Sequence, residues 1–373
     1  MVKTASRLAP VLLAACCVAA LAAPSAWAAP SAPTVRPMVA RQPAGRPAPA
    51  IVGPLAGYLL SNGDLADEYD SNGGTIGVAK ISTGNYLVTL GDLGAITGGM
   101  VQATAVNDNG TCAVDSWGPS GSDLEVGVLC YSLTGHPANS LFDLIVTQPV
   151  MPPPGTFDYS WVYRDTSSGP LTGPYQYNSA HKSNSVRHLG TGRYQVTLGG
   201  PASTGTTGTV KVSAYGAGGG DCAGSGWHGT KAGVTVDVTC YKASGAPVNR
   251  QFDVTYTARS NLMGLAGFPT ANALISASGK VQTQFNSEHK AKVTAGHSKR
   301  GIYQVQFNGT TVQFSGGDVQ VTPVTSSKFH CVVVKWVAGV HVKTVATVRC
   351  FDGHGHPVNS AFAIQFVQGF VIV

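Results

Sequence analysis

Six cysteines are the residues whose type and spacing most plainly imply chemistry. They fall as Cys112/Cys130, Cys222/Cys240 and Cys331/Cys350, with 17, 17 and 18 residues between the members of each pair. A zinc site would need four ligands at close spacing, usually from cysteines two to four residues apart, and no such pair occurs among these six. Disulfides are the expected use. The sequence alone allows many pairings, but the internal repetition described below selects the one in which each pair closes its own loop. A loop of that size stabilises a domain by about 3 kcal/mol in the chain-entropy account, and such bonds persist in exported chains.

A tryptophan follows each first cysteine by five residues: Trp117, Trp227 and Trp336. Two uses are open, a cover over the disulfide that fills the core, or a platform on which sugar rings stack. A true immunoglobulin topology is not expected, because its cysteines bridge strands much further apart in sequence. Other chemistry is weaker. Gly296-His297-Ser298-Lys299-Arg300 resembles a nucleophile elbow but lacks the final glycine, and an exposed loop is expected there. Asp143 and Asp253 sit beside a repeated Phe, yet Ala363 stands at the third copy, so no shared catalytic acid exists at that position. Asp64, Asp67, Glu68 and Asp70 cluster as calcium-binding oxygens would, but their spacing is not that of an EF-hand loop and Asn178 and Asn286 stand where Asp70 does, so a solvated acidic loop is expected. His330, His341, His354 and His356 enrich the C-terminal part without a ligand spacing. No cofactor, metal or catalytic residue is assigned, and the paired catalytic carboxylates of a glycosidase are not recognisable.

The elements that would position these residues come in three copies. Gly84-Asn85-Tyr86-Leu87-Val88, Gly192-Arg193-Tyr194-Gln195-Val196 and Gly301-Ile302-Tyr303-Gln304-Val305 share one pattern. Pro137, Pro247 and Pro357 follow at steps of 110 residues, as do Phe142, Phe252 and Phe362, and the second cysteines. The repeats are expected over 55–150, 155–258 and 268–373. A period this long is too great for a solenoid unit and matches a small domain that buries its own core, so beads on a string are expected. Within each unit the pattern alternates, as in Val210-Lys211-Val212-Ser213-Ala214 and Val234-Thr235-Val236-Asp237-Val238. That is the signature of half-buried antiparallel strands. The expected fold is all-β: three tandem antiparallel β-sandwich or jelly-roll-like domains, one disulfide each.

The unit resembles tandem domains of secreted actinobacterial proteins built of disulfide-containing β-sandwich-like repeats. The pattern is an aromatic-Asn-Ser segment (Tyr177-Asn178-Ser179, Phe285-Asn286-Ser287), a Gly-x-Tyr-x-Val strand, a Cys…Trp…Cys core and a Gly-x-Pro-Val…Phe ending. The first copy departs at Asp70 and Ala138. The resemblance implies a secreted β module and brings no enzyme activity.

Lys3 and Arg7, the apolar run Leu8–Ala23 and Ala26-Trp27-Ala28 read as a signal peptide over 1–28. Lipidation at Cys16 is the alternative. Residues 29–54 form a Pro/Ala-rich linker. No later stretch is long and apolar enough for a membrane-spanning helix. Charged residues make up only 11% of the chain, against about 25% in typical soluble proteins. The net charge of +6 is no nucleic-acid signature by itself. It hides an asymmetry: residues 51–150 carry one basic and ten acidic residues, 151–260 nine and five, 261–373 nine and three. The first repeat is therefore expected to dock on a later one or present a different face. The expected function is a secreted, non-catalytic binding or adhesion protein with a cell-surface, glycan or protein ligand. A self-associating structural protein and a secreted hydrolase are the alternatives, and the oligomeric state is open.

Overall fold

The structure is a computed structural model that describes residues 56–61, 65–96, 98–106, 110–147, 158–164, 169–171, 176–200, 208–230, 232–263, 269–288, 291–310, 317–338 and 343–368. The expected signal peptide and linker, Cys16, Asp64 and His341 lie outside them. All regular structure in the described residues is strand, and none of it is a helix able to cross a membrane.

Repeat 1 contributes β1 (Ala56–Ser61), β2 (Leu65–Asp70), β3 (Ile76–Ser82), β4 (Asn85–Leu90), β5 (Met100–Val106), β6 (Gly110–Ser120), β7 (Asp123–Ser132) and β8 (Leu141–Thr147). Repeat 2 contributes β9 (Asp158–Arg164), β10 (Gly169–Pro170), β11 (Gln176–Asn178), β12 (Asn184–Gly190), β13 (Arg193–Gly199), β14 (Thr209–Tyr215), β15 (Gly220–Thr230), β16 (Gly233–Lys242) and β17 (Gln251–Ala258). Repeat 3 contributes β18 (Thr270–Ile275), β19 (Val281–Asn286), β20 (Val293–Lys299), β21 (Ile302–Asn308), β22 (Asp318–Val324), β23 (His330–Ala338), β24 (Lys343–Phe351) and β25 (Ala361–Val367).

Each repeat is a two-layer sandwich. In repeat 1, β2-β1-β8-β5 form one layer and β6-β7-β4-β3 the other, and Leu59, Val101 and Phe142 of the first meet Tyr86, Val88 and Val126 of the second in one apolar core. Repeats 2 and 3 enclose equivalent cores around Tyr194/Phe252 and Tyr303/Phe362, whose ring centroids lie 4.9 Å apart in both.

The repeats are not separate beads. Every sheet runs from one repeat into the next: β5 of repeat 1 continues into β23 of repeat 3, β14 of repeat 2 into β6 of repeat 1, and β22 of repeat 3 into β15 of repeat 2. The joints are single parallel bridges, Val106↔Val333, Tyr215↔Val114 and Val324↔Gly224, in otherwise antiparallel sheets. Three joints of one kind close a ring with pseudo-threefold symmetry, and the described residues of all three repeats belong to one compact unit. Repeat 1 thus docks on both neighbours, with one backbone bridge at each joint.

Closure places the outer faces of β5, β14 and β22 against one another on the ring axis. These strands are buried on both faces, so alternation here separates an apolar core side from a polar axial side, and not core from solvent. Lys211, whose alternating neighbours suggested a solvent-facing side chain, lies on that axis and is 4% exposed.

Candidate functional site

The Gly-x-Tyr pattern is a clamp. Gly84, Gly192 and Gly301 turn each hairpin at φ 67°, 68° and 70°. A Cβ on Gly192 would lie 2.5 Å from the Cys240 carbonyl oxygen, so the close approach as well as the positive φ requires glycine. The backbone N–H of each donates to the side-chain oxygen of Asn139, Asn249 or Asn359, at 3.0, 2.8 and 2.8 Å. The hydroxyls of Tyr86, Tyr194 and Tyr303 accept the next N–H, from Ser140, Arg250 and Ser360. Each hairpin tip is thereby fixed to the Gly-x-Pro turn of its own repeat.

Those turns, 132–136, 242–246 and 352–356, form a ring at one end of the axis. Gly135 packs on Ala243, Gly355 packs on Leu133, and Lys328 lies against Gly245 and Gly353. Its ammonium donates to the carbonyls of Ala243 and Gly353, and Tyr241 donates its hydroxyl to Ser326. Inside the ring the residues preceding the first cysteines, Thr111, Asp221 and His330, surround a cavity of about 30 Å³ floored by Thr104, Lys211 and Ser213. That is room for a water molecule or two, far below the roughly 300 Å³ of a small-molecule pocket.

Burial pushes the Asp221 carboxyl up to about 6, against the opposing pull of the Lys211 ammonium, the Cys222 N–H and Arg250. Arg250 donates to the carbonyls of Tyr215, Gly216 and Gly218, at 3.3, 2.6 and 2.6 Å. Burial, with Lys328 beside it, lowers His330 to about 4, and its ring stacks on Phe351 at 5.6 Å.

Below the cavity the axis is polar throughout. Lys211 donates to Thr104 Oγ1 at 2.5 Å and to the Val321 carbonyl at 2.9 Å. Thr104 donates to Gln320 Oε1, whose amide donates to Asp318. Thr255 donates to Gln102, the Val212 N–H to Thr322, and Ser213 to the Ala103 carbonyl. All three repeats are joined in this network. Burial lowers Lys211 to about 8, while Asp221, Asp318 and Asp143 oppose the shift. Asp143 and Asp253 are both buried, opposite Thr104 and Ser213 in the sheet register. Desolvation holds the Asp253 carboxyl well above the usual carboxylate range.

The disulfides Cys112–Cys130, Cys222–Cys240 and Cys331–Cys350 join residues directly opposite in neighbouring strands, with Cα atoms 4.1, 4.1 and 4.0 Å apart. The second cysteines spend their backbone bonds on the other side, as Cys130 does with Gly84 and Ala138. The disulfides therefore occupy non-hydrogen-bonded pairs, where side chains come closest. Trp117, Trp227 and Trp336 pack half-buried against the core of their own repeat. Simple alternation would set residues five apart on opposite faces. A β-bulge between cysteine and tryptophan, at Val114/Ser116, Gly224/Gly226 and Val333/Lys335, returns both to the core face.

Gly296-His297-Ser298 lies in strand β20 and not in a loop, and His297 Nε2 meets Asn359 Oδ1 at 2.9 Å. His188 and Asn249 make the same contact at 3.0 Å. His354 and His356 are exposed in the third turn, His356 lying 3.5 Å from Asp352. Of the acidic cluster, Glu68 is exposed, while the Asp70 carboxyl accepts the Asn72 N–H and is raised to about 6 by burial, with Asp92 and Glu68 adding to it. Among the described residues no three His, Cys, Asp or Glu converge to hold a metal.

Sequence reasoning missed Asn139, Asn249, Asn359, Lys211, Asp221 and Arg250. The asparagines each stand two residues after the repeated Pro and were readable from the same register. The other three belong to repeat 2 alone and carried no signal. No family model, curated protein or solved structure matches this chain.

Proposed function

We propose that the chain is a secreted, non-catalytic binding protein that attaches to an extracellular surface through the ring end of its body. The carrying observation is that three equivalent hairpin tips, each fixed to its turn by the Tyr–Asn clamp, surround one end of a single compact body. Three weak contacts on one rigid face act together by avidity, with no linker entropy to overcome. The leader-like N-terminus and the three disulfides support export. The two openings described at this end have room for a water molecule or two and not for a substrate, which favours a surface over a catalytic cleft.

The test is retention of the chain from residue 29 on isolated bacterial envelopes, peptidoglycan and glycan arrays. A bulky polymer attached at Thr191→Cys, on a hairpin tip, should abolish retention, whereas the same label at Ser122→Cys, at the opposite end of its strands, should not. Retention on none of these surfaces would sink the reading.

A further inference from the structure

The ring end carries a charge pattern that names a ligand class, an inference resting on the binding reading above. The hairpin tips present Lys80, Arg187, Arg193, Lys299 and Arg300, all exposed. Lys242 in the second turn and Lys280, in the turn that packs Gly279 against His297, are exposed as well. The described acids at or beside this end are already engaged: Asp237 accepts from the Gln195 amide, whose oxygen accepts from Arg187. Asp352 accepts the His354 and His356 N–H groups and faces the His356 ring, and Asp221 sits within the mouth beside Lys211 and Arg250. The segments 80–85, 187–193 and 297–302 contain no acidic residue. The opposite end differs: Asp92 and Asp123 stand together there, with Asp70 nearby.

The face therefore selects a polyanion, and the absence of exposed aromatic rings among its described side chains narrows the choice. Among the residues whose side chains are described, no Trp, Tyr or Phe is exposed: Tyr131, Tyr241 and Phe329 at this end are half-buried, the two hydroxyls being engaged with the Gly218 N–H and the Ser326 carbonyl, and the exposed large apolar side chains are Ile81, Leu189 and Val337. Bases of single-stranded nucleic acid need aromatic platforms to stack on, and so do sugar faces. A ligand read here is read by charge along an aliphatic chain. Arg forks match phosphate oxygens two at a time. We infer that the ring end binds a phosphodiester-linked polyol polymer of a cell envelope, laid across the tips of repeats 2 and 3, where Arg187, Arg193, Lys299 and Arg300 supply the phosphate contacts.

The experiment measures binding of the chain from residue 29 to purified poly(glycerol phosphate) by calorimetry. The comparison ligands are neutral dextran, double-stranded DNA and phosphatidylglycerol vesicles. The expected result is binding to poly(glycerol phosphate) that weakens steeply with salt as counterions are released on association, with dextran inert and DNA and vesicles weaker. Arg187→Ser/Arg193→Ser/Lys299→Ser/Arg300→Ser should weaken binding about tenfold or more. Lys182→Ser/Lys292→Ser, which removes exposed charges at the opposite end, should leave it within about twofold. Circular dichroism and disulfide retention would show that both variants fold. Equal loss in the two variants would overturn the inference, as would tighter binding to DNA or vesicles, or no polymer binding. If the polymer fails while envelopes still retain the chain, the ligand class is wrong and the binding reading stands. If envelopes also fail, both fall.

Discussion

The molecule has two kinds of interior, built from opposite materials. The three outer cores are made of Tyr, Phe, Val and Cys, as in the Tyr194–Phe252 pair packed over Val196, Val236 and the Cys222–Cys240 bridge. The axis between them is made of Lys, Asp, Gln, Thr and Ser, equally dry and linked across repeats by hydrogen bonds. The outer cores supply non-directional burial, which stabilises each sandwich but does not say how sandwiches should meet. The axis supplies directional bonds that are costly to leave unmade, so a rotated or slipped arrangement would strand buried donors. Folding energy and ring register are thus assigned to different regions.

The sharpest way to break this contrast is to cut a large side chain from an outer core. Phe252→Ala removes a fully buried ring and should cost about 3–5 kcal/mol, read from urea unfolding. A loss below about 1 kcal/mol would mean that the axis, and not the core, holds repeat 2 together.

The axis should show itself through pH. Lys211 titrates at about 8 in the folded chain against 10.5 in the unfolded one. Its folded form is the weaker base, so between those values the unfolded chain binds more protons and stability rises with pH. The gain approaches about 3 kcal/mol from pH 7 to pH 10.5, and Lys211→Met should erase that part of the profile. Asp253 acts with the opposite sign. Its folded carboxyl is raised, so its share of stability falls as pH rises above 3.8, and Asp253→Asn should gain relative stability at pH 7 over pH 4. An unchanged pH profile in Lys211→Met would place that ammonium in water.

The smallest effect separates directional bonds from simple burial. Thr322→Val keeps the side-chain shape but leaves the Val212 N–H without its acceptor across the joint between repeats 2 and 3. It should cost about 1–2 kcal/mol. The apolar exchange Val196→Ala within an outer core should cost more and leave the ring joint unchanged, measurable as protection of the Val212 amide from hydrogen exchange.

Much of the architecture was legible because it repeats. The steps of 110 residues between Pro137, Pro247 and Pro357 announce three copies, alternation announces strands, and one cysteine pair per copy announces its bridge. Closure was not legible. A joint such as Val106↔Val333 is a backbone contact between residues far apart in sequence, and backbone pairing leaves no residue-type signature. The tryptophans show a local version of the same limit. Their facing depends on one bulged residue, and a count of two per step cannot register it. At the candidate site the tips and their charges stood in the sequence, while their gathering at one end required the ring.

By itself the sequence determined the strand content, the disulfide pairs, the glycine at each hairpin tip and the charge of each repeat, because each follows from local stereochemistry or from repetition. Only the tertiary structure decided that Lys211 is buried, that Asp221 and Arg250 sit at the axial mouth, and that basic tips share a face. Those facts depend on which sheet continues into which repeat, and it is the closing of the ring that turns a strand's polar side from solvent to interior.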